Sequence, residues 1–178
     1  MFRLFVAIDL PPGVVERLAG LCAGVPGARW VEPERIHLTL RFIGEVDGAV
    51  REDVRAELGR VSAPRFFLTL SGTECFGGKR RARTLWAGIE PCPALVDLHA
   101  KVDAALGRAG VAPEGRKFFP HVTLARLKAA PHDRIARFLS QTGLFKSEPF
   151  AVDAFALYES HLNRSGAVHA LDARYRLS

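Results

Sequence analysis

Two hydrophobic periodicities alternate along this chain. Four stretches space their apolar residues as an amphipathic helix does, and seven alternate or run unbroken over a few residues as a strand does. Helices are predicted over residues 12–22, 49–61, 93–110 and 131–142, and strands over residues 3–10, 36–43, 66–75, 84–89, 122–127, 150–160 and 168–177. The predicted order is β-α-β-α-β-β-α-β-α-β-β, with a similar βαβ…β unit in each half.

Two of the predicted strands contain nearly the same four residues. One motif is His37 to Leu40 (HLTL) and the other is His121 to Leu124 (HVTL), in corresponding halves of the 178-residue chain. Because side chains alternate along a strand, each motif presents its histidine and threonine on one face and its apolar residues on the other. The repeat indicates two similar lobes whose motif strands meet at the lobe interface, where clefts usually lie.

Composition and charge restrict the class of protein. A chain with 48% hydrophobic and 25% charged residues is typical of a globular domain with a real core. The formal net charge of +6 favours an anionic partner, with nucleic acid as the first candidate and a merely basic protein as the alternative. Cys22, Cys75 and Cys92 form no CxxC pair, which is consistent with a reducing cytoplasm. The apolar run over residues 4–8 is too short for a signal peptide or membrane span.

Among the six histidines, only His37 and His121 lie in matching contexts. No Asp, Glu or Cys recurs at a fixed offset to complete a metal site, and no Gly-x-Ser-x-Gly motif offers a nucleophile. Acid–base chemistry by two imidazoles remains, and a phosphodiester suits it. One histidine would take a proton from the attacking oxygen and the other would give one to the leaving oxygen. The hydroxyls of Thr39 and Thr123 would bind the non-bridging oxygens, where negative charge collects.

These motifs resemble those of the two-histidine (2H) phosphoesterase superfamily, which is defined by two H-x-[ST]-φ motifs. Within that superfamily the chain is similar to the RNA 2′,3′-cyclic phosphodiesterases, also called the 2′-5′ RNA ligase family. Four stretches carry the similarity, and they run from the first predicted strand to the last: residues 3–8 (RLFVAI), 37–44 (HLTLRFIG), 119–126 (FPHVTLAR) and 157–160 (LYES).

The resemblance implies one bilobal domain over residues 1–178 with an α+β fold. Two pseudo-symmetric lobes, each an antiparallel sheet with helices on the outside, would flank a central cleft. The implied reaction needs no metal and no cofactor: it opens a 2′,3′-cyclic phosphate at an RNA 3′ end to a 2′-phosphate. His37 would be the proton donor to the departing 3′-oxygen, and His121 would be the proton acceptor that activates water. With an RNA 5′-hydroxyl in place of water, the reverse reaction would form a 2′-5′ linkage.

Further substrate-binding residues are expected around this pair. By alternation Arg126 should point away from the catalytic face, and either a bulge or the end of the strand would be needed to bring it into the cleft. Tyr158 and Ser160 share one strand face, and Phe42 would stack a base if it is not a core residue. A basic turn would hold the RNA backbone or be a solvated loop; its residues are Lys79, Arg80, Arg81 and Arg83, with Arg116 and Lys117 nearby.

The expected partner is RNA ending in a 2′,3′-cyclic phosphate, with tRNA fragments among the candidates. We expect a cytoplasmic monomer with no membrane association. Two alternatives stay open at this point. One is a phosphodiesterase for a small cyclic nucleotide or for ADP-ribose cyclic phosphate, and the other is a non-catalytic RNA-binding module.

Overall fold

The computed structural model describes residues 1–178 and contains four α-helices and ten β-strands. The helices are α1 (Pro12–Ala19), α2 (Gly48–Leu58), α3 (Pro93–Arg108) and α4 (His132–Thr142). The strands are β1 (Phe2–Asp9), β2 (Arg29–Trp30), β3 (His37–Val46), β4 (Phe66–Leu68), β5 (Leu70–Phe76), β6 (Thr84–Ile89), β7 (Val122–Arg126), β8 (Phe150–Val152), β9 (Ala154–Asn163) and β10 (Gly166–Arg176). No helix is long and apolar enough to cross a membrane.

Two four-stranded antiparallel sheets form the body of the protein. Lobe A contains the sheet β10-β9-β1-β3, and lobe B contains the sheet β2-β7-β6-β5. Helices α2 and α3 pack on lobe A, where Arg51 of α2 pairs with Asp172 of β10. Helices α1 and α4 pack on lobe B, where Thr142 of α4 hydrogen-bonds Thr73 of β5 at 2.7 Å. This confirms the predicted α+β fold of two helix-covered antiparallel sheets.

The two lobes are not the two halves of the sequence, which corrects the expected βαβ…β unit in each half. Lobe A takes β1, β3, α2 and α3 from the first part of the chain and β9 and β10 from its end. Helix α1 belongs instead to lobe B, where the guanidinium of Arg17 lies 4.9 Å from the centre of the Phe145 ring. The chain therefore crosses between the lobes several times, and the crossing segments lead into the motif strands.

Two predicted strands are each divided in two, because a short additional pair joins the lobes. The strand predicted over 66–75 breaks after Leu68, and the strand predicted over 150–160 breaks after Val152. The first pieces, β4 and β8, pair only with each other. Strand β4 continues into β5 of lobe B, and strand β8 continues into β9 of lobe A. The predicted helix over 12–22 also ends early, at Ala19, where Gly20 caps it.

A single core of 34 buried residues runs through both lobes. It includes Leu38 and Leu40 of the first motif and Val122 and Leu124 of the second, as strand alternation predicts. Four buried hydrophobic residues lie outside this core, namely Phe5, Ala7, Trp86 and Ala156. They come from β1, β6 and β9, the strands beside or near the motif strands, and they form the floor beneath the motif histidines.

Candidate active site

His37 is held in one orientation and one tautomer. Its Nδ1–H donates to the carbonyl of Arg35 at 2.6 Å, and because a carbonyl only accepts, the proton must be on Nδ1. In the neutral ring Nε2 is then an acceptor, and the hydroxyl of Thr39 donates to it at 2.9 Å. The ring stacks on Phe5 with centroids 5.1 Å apart. The reactive nitrogen of His37 is therefore Nε2, beside a hydroxyl.

His121 repeats this arrangement in lobe B. Its Nδ1–H donates to the carbonyl of Phe119 at 2.7 Å, again two residues upstream, and Nε2 has no partner within the protein. The edges of two aromatic rings confine the imidazole, with Phe76 at 4.9 Å and Trp86 at 5.8 Å between centroids. The lone pair of Nε2 is thus free to accept a proton.

Both acceptor carbonyls belong to segments that cross between the lobes. Arg35 lies between β2 of lobe B and β3 of lobe A, and Phe119 lies between α3 of lobe A and β7 of lobe B. The motif strands β3 and β7 come within 8 Å of each other, Cα to Cα. The structure therefore places the two H-x-T motifs at the junction of the lobes, one on each side.

Each motif strand contains a bulge at its leucine. Ala7 pairs with Thr39 while the preceding residue, Val6, pairs with Arg41, so Leu40 is an extra residue in β3. In β7 the extra residue is Leu124, because Trp86 pairs with Thr123 and Leu85 pairs with Ala125. A bulge turns the residues after it to the opposite face of the sheet. The bulges are thus a shared feature of the two motifs beyond the four matching residues.

The bulges bring Phe42 and Arg126 to the cleft face. Arg41 and Ala125 are turned inward and buried, whereas Phe42 is 61% exposed and its ring centre is 6.1 Å from that of Phe5. Arg126 is exposed, and its charge acts on His121. Simple alternation, which points Arg126 away from the cleft, is therefore wrong at this position. Phe42 is not a core residue, so it is available for contact with a ligand.

The remaining expected residues lie on the same faces. Thr39 and Thr123 are half-buried beside their histidines. Tyr158 stacks on Phe5 with centroids 5.4 Å apart, and its hydroxyl donates to the carboxylate of Asp9 at 2.5 Å. Ser160 is opposite His169 in the register of β9 and β10. The hydroxyl of Tyr158 is therefore engaged within the protein, while Ser160 and Thr123 remain open to a ligand.

Burial and a neighbouring histidine suppress protonation of His37. The pKa falls from its ordinary value of 6.5 to about 4, first through burial and then through the charge of His169. The carbonyl of Arg35 and the carboxylate of Asp9 act in the opposite direction, and the Arg35 guanidinium adds a smaller lowering. His37 is thus neutral at pH 7 in the ligand-free protein.

Burial also lowers the pKa of His121. The Phe119 carbonyl opposes this effect, and the positive charge of Arg126 adds to it. Both imidazoles are therefore neutral at pH 7 before a ligand binds. An anionic group bound between the two rings would favour an imidazolium and could give them opposite protonation states.

Sequence reasoning missed several groups that line the cleft on lobe A and lobe B. On lobe A these are Asp9 and His169, whose ring centre is 5.4 Å from that of His37. On lobe B they include Trp86 and Phe119, with ring centroids 5.4 Å apart. Asp9 was detectable in principle, since it alternates with Phe5 in the first strand. His169 was not, because only the pairing of β9 with β10 brings it to the site.

No group of three or more His, Cys, Asp or Glu side chains lies close enough together to hold a metal ion. The nearest set around His37 contains a second histidine, His169, and one carboxylate, Asp9. That carboxylate is already bound by Tyr158 and Arg174. The imidazoles and hydroxyls of this site are groups that can transfer protons and form hydrogen bonds.

Two H-x-T strands that face one cleft from two antiparallel sheets are the arrangement of a two-histidine phosphoesterase. Residues 15–164 match the model of the 2′-5′ RNA ligase superfamily. The chain therefore belongs to the 2′-5′ RNA ligase superfamily.

Individual relatives agree with this assignment. The chain is 32% identical over 173 residues to an RNA 2′,3′-cyclic phosphodiesterase of Thermotoga maritima, covering 94% of this chain and 91% of that protein. It is 34% identical over 148 residues to an RNA 2′,3′-cyclic phosphodiesterase of Aeropyrum pernix, covering 82% and 84%. The crystal structure of Escherichia coli LigT complexed with 3′-AMP superposes with a TM-score of 0.81 at 28% identity, covering 99% of this chain and 98% of that one.

Proposed function

We propose that this protein is a hydrolase that opens the 2′,3′-cyclic phosphate at the 3′ end of RNA and leaves a 2′-phosphate. The matched geometry of the two imidazoles carries the proposal: each is fixed through Nδ1 by a backbone carbonyl and keeps Nε2 for proton transfer. Relatives named RNA 2′,3′-cyclic phosphodiesterase align with most of the chain, and they support a 2′,3′-cyclic phosphate as the ester that is opened. The unit that acts is the whole bilobal domain, residues 1–178, because each lobe supplies one motif.

The proposed reaction is an in-line displacement at phosphorus. Nε2 of His121 takes a proton from water, and the water oxygen bonds to phosphorus as the bond from phosphorus to the 3′-oxygen breaks. His37 gives its proton to that 3′-oxygen, and the phosphate stays on the 2′-oxygen. Thr39, Thr123 and Arg126 stabilise the charge on the non-bridging oxygens.

The same site joins two RNA ends when a hydroxyl group replaces water as the nucleophile. An RNA 5′-hydroxyl replaces water as the group deprotonated by His121, and the product is a 2′-5′ phosphodiester. The two histidines exchange their roles when that linkage is cleaved again, as microscopic reversibility requires. Ligation is thus proposed as a second activity of one catalytic centre.

The distribution of charge favours RNA over a small cyclic ester. Residues 75–89 and 115–130 hold eight of the 25 basic residues and none of the 19 acidic ones, so the rest of the chain is slightly acidic. We call these eight residues the basic rim: Lys79, Arg80, Arg81, Arg83, Arg116, Lys117, Arg126 and Lys128. The two segments meet where the amide of Leu127 donates to the carbonyl of Arg83 at 2.9 Å. Free basic side chains beside His121 suit a phosphate backbone.

The first test is an assay on an oligoribonucleotide that ends in a 2′,3′-cyclic phosphate. We expect complete conversion to the 2′-phosphate, with full activity in excess EDTA because only protein side chains transfer protons. The position of the phosphate is read by phosphorus NMR of the product. Tight binding without any product would support the RNA-binding module instead, and activity lost in EDTA and restored by a metal would contradict the mechanism.

The second test uses a change of surface charge to distinguish an RNA substrate from a small cyclic ester. Changing Arg80 and Arg81 together to Glu is expected to lower kcat/KM on an oligonucleotide about tenfold more than on a cyclic mononucleotide, and to flatten the salt dependence. The matched control is Arg137→Glu, an exposed arginine on the outer helix α4. An equal loss on both substrates would favour a small cyclic nucleotide or ADP-ribose cyclic phosphate as the natural substrate.

Partners and location follow as part of the proposal. The substrate is an RNA fragment with a cyclic phosphate end, tRNA fragments among them, and the protein acts as a monomer because each chain holds both motifs. All three cysteines, Cys22, Cys75 and Cys92, are free thiols, which suits a reducing cytoplasm. Gel filtration with light scattering gives the oligomeric state.

A further inference from the structure

Asp9 occupies the position directly opposite His37. In the antiparallel register of β1 and β3, Ile8 pairs with Leu38 and Asp9 pairs with His37. Leu4, Val6 and Ile8 point into the core, so Phe5, Ala7 and Asp9 lie on the cleft face with the histidine. Asp9 thus lies on the same face of the sheet as the imidazole, on the neighbouring strand.

Two side chains from the other strands of the sheet hold the carboxylate of Asp9. The hydroxyl of Tyr158 donates to one oxygen at 2.5 Å, and a guanidinium nitrogen of Arg174 donates to the other at 3.0 Å. Both reach Asp9 over the small buried side chains Ala7 and Ala156, which leave room for them. Burial and the bond to Asp9 raise the pKa of Tyr158, so its hydroxyl remains a donor throughout the working pH range.

The corresponding position in lobe B holds no side chain. There Trp86 pairs with Thr123 and Ala87 with Val122, and continuing this register by one residue places Gly88 across from His121, as Asp9 is across from His37. A Cβ at Gly88 would lie 2.6 Å from the carbonyl oxygen of Ser71, so the packing excludes any larger residue. The charged neighbour of His121 is instead the guanidinium of Arg126.

We propose that Asp9 is the positioning residue that assigns the acid role to His37, an inference that rests on the proposed function. A fixed carboxylate beside one imidazole favours its protonated form, and a guanidinium beside the other favours its neutral form. The two motifs are alike in sequence, so this difference in their neighbours divides the roles.

The other charged groups around His37 act against the effect of Asp9. Arg35 on the preceding turn and His169 on β10 both disfavour the imidazolium. Arg174 and Tyr158 bind Asp9 itself, so they fix its charge in place rather than oppose it through His37. Asp9 is therefore the side-chain charge that favours a proton on His37 before phosphate binds.

The test is the isosteric variant Asp9→Asn, studied by proton–carbon NMR titration of the imidazoles with the product mononucleotide 2′-AMP bound. We expect the pKa of His37 to fall by about half a unit or more while that of His121 stays within error. On a cyclic-phosphate oligonucleotide, kcat is expected to fall about threefold or more with little change in KM. The reason is that a fall of half a unit in the pKa of His37 lowers its protonated fraction about threefold when the pH is above that pKa. Asp9→Glu, which keeps the charge, is expected to restore both readings.

Asp172→Asn is the matched control. Asp172 pairs with Arg51 on the helix side of the same sheet, so the variant loses an ion pair, a more buried one than that of Asp9, away from His37. It is expected to change thermal stability but not the titration of His37. If Asp9→Asn leaves the titration and kcat unchanged, or if Asp172→Asn shifts them equally, Asp9 is only structural. An inactive wild-type protein would instead refute the proposed function, while the titration would still report on Asp9.

Discussion

Replacing either His37 or His121 with alanine is expected to lower kcat on a cyclic-phosphate oligonucleotide by about 10²- to 10⁴-fold, the usual contribution of one general acid or base. In the proposed mechanism, His121→Ala removes the group that takes a proton from water, and His37→Ala leaves the 3′-oxygen to depart without one. Both rings lie on the cleft face rather than in the core, so both variants are expected to fold. Single-turnover kinetics measures the loss, and circular dichroism checks the fold.

The pH profile gives an independent reading of the same pair. Because burial lowers the pKa of both imidazoles below 6.5, both limbs of the kcat/KM profile of the free enzyme lie below that value, and the optimum is acidic. The profile of kcat is displaced to higher pH, since the bound phosphate anion favours protonation of His37. A flat profile, or substantial activity in either alanine variant, would contradict the two-histidine mechanism.

The largest expected effect on stability comes from Arg41→Ala. The Arg41 guanidinium is buried, donates to the carbonyls of Phe42 at 2.8 Å and Ala112 at 2.6 Å, and forms an ion pair with Asp103 at 3.1 Å, at an angle too bent for a hydrogen bond. Removing the guanidinium leaves two carbonyls without a hydrogen-bond donor and a carboxylate without its positive partner. We expect the free energy of unfolding to fall by about 3 kcal/mol, limited because Asp103 is 39% exposed and partly solvated.

Urea denaturation measures this loss, with Arg60→Ala as the control. Arg60 forms an ion pair with Glu57 on the surface, which is expected to contribute little to stability because solvent screens it. Arg41→Lys keeps the charge but lacks the planar fork, so it is expected to restore only part of the stability. A loss in Arg41→Ala as small as that in Arg60→Ala would show that the buried cluster contributes little.

The stability prediction also bears on catalysis. Ala112 lies in the segment between α3 and β7, which also contains Phe119, and the Phe119 carbonyl orients His121. Arg41 follows the first motif, so it connects the strand of His37 to the segment that positions His121. We therefore attribute to Arg41 a structural link between the two half-sites in addition to its role in the core.

Strand alternation predicted the faces of the two motifs because it is a local property of an extended chain. His37 and Thr39 share the cleft face and Leu38 and Leu40 enter the core, and the second motif repeats this. Strand alternation gives the wrong face at Arg126, two residues after Leu124, because the bulge depends on the register that β6 imposes on β7. A bulge is a property of a pair of strands, so one strand read alone does not show it.

Residue order alone was enough to predict the elements that carry the chemistry: two histidines and two threonines on strands, a core face behind them, and a positive excess in two segments. The surroundings of each histidine depend on long-range packing. Asp9 and His169 reach His37 across strands distant in sequence, and Gly88 leaves His121 without a carboxylate. The interleaving of the lobes was equally invisible, since helical and strand periodicity report which face is buried but not against which partner. Local residue spacing thus predicts a pair of equivalent half-sites, and only long-range packing makes the two differ.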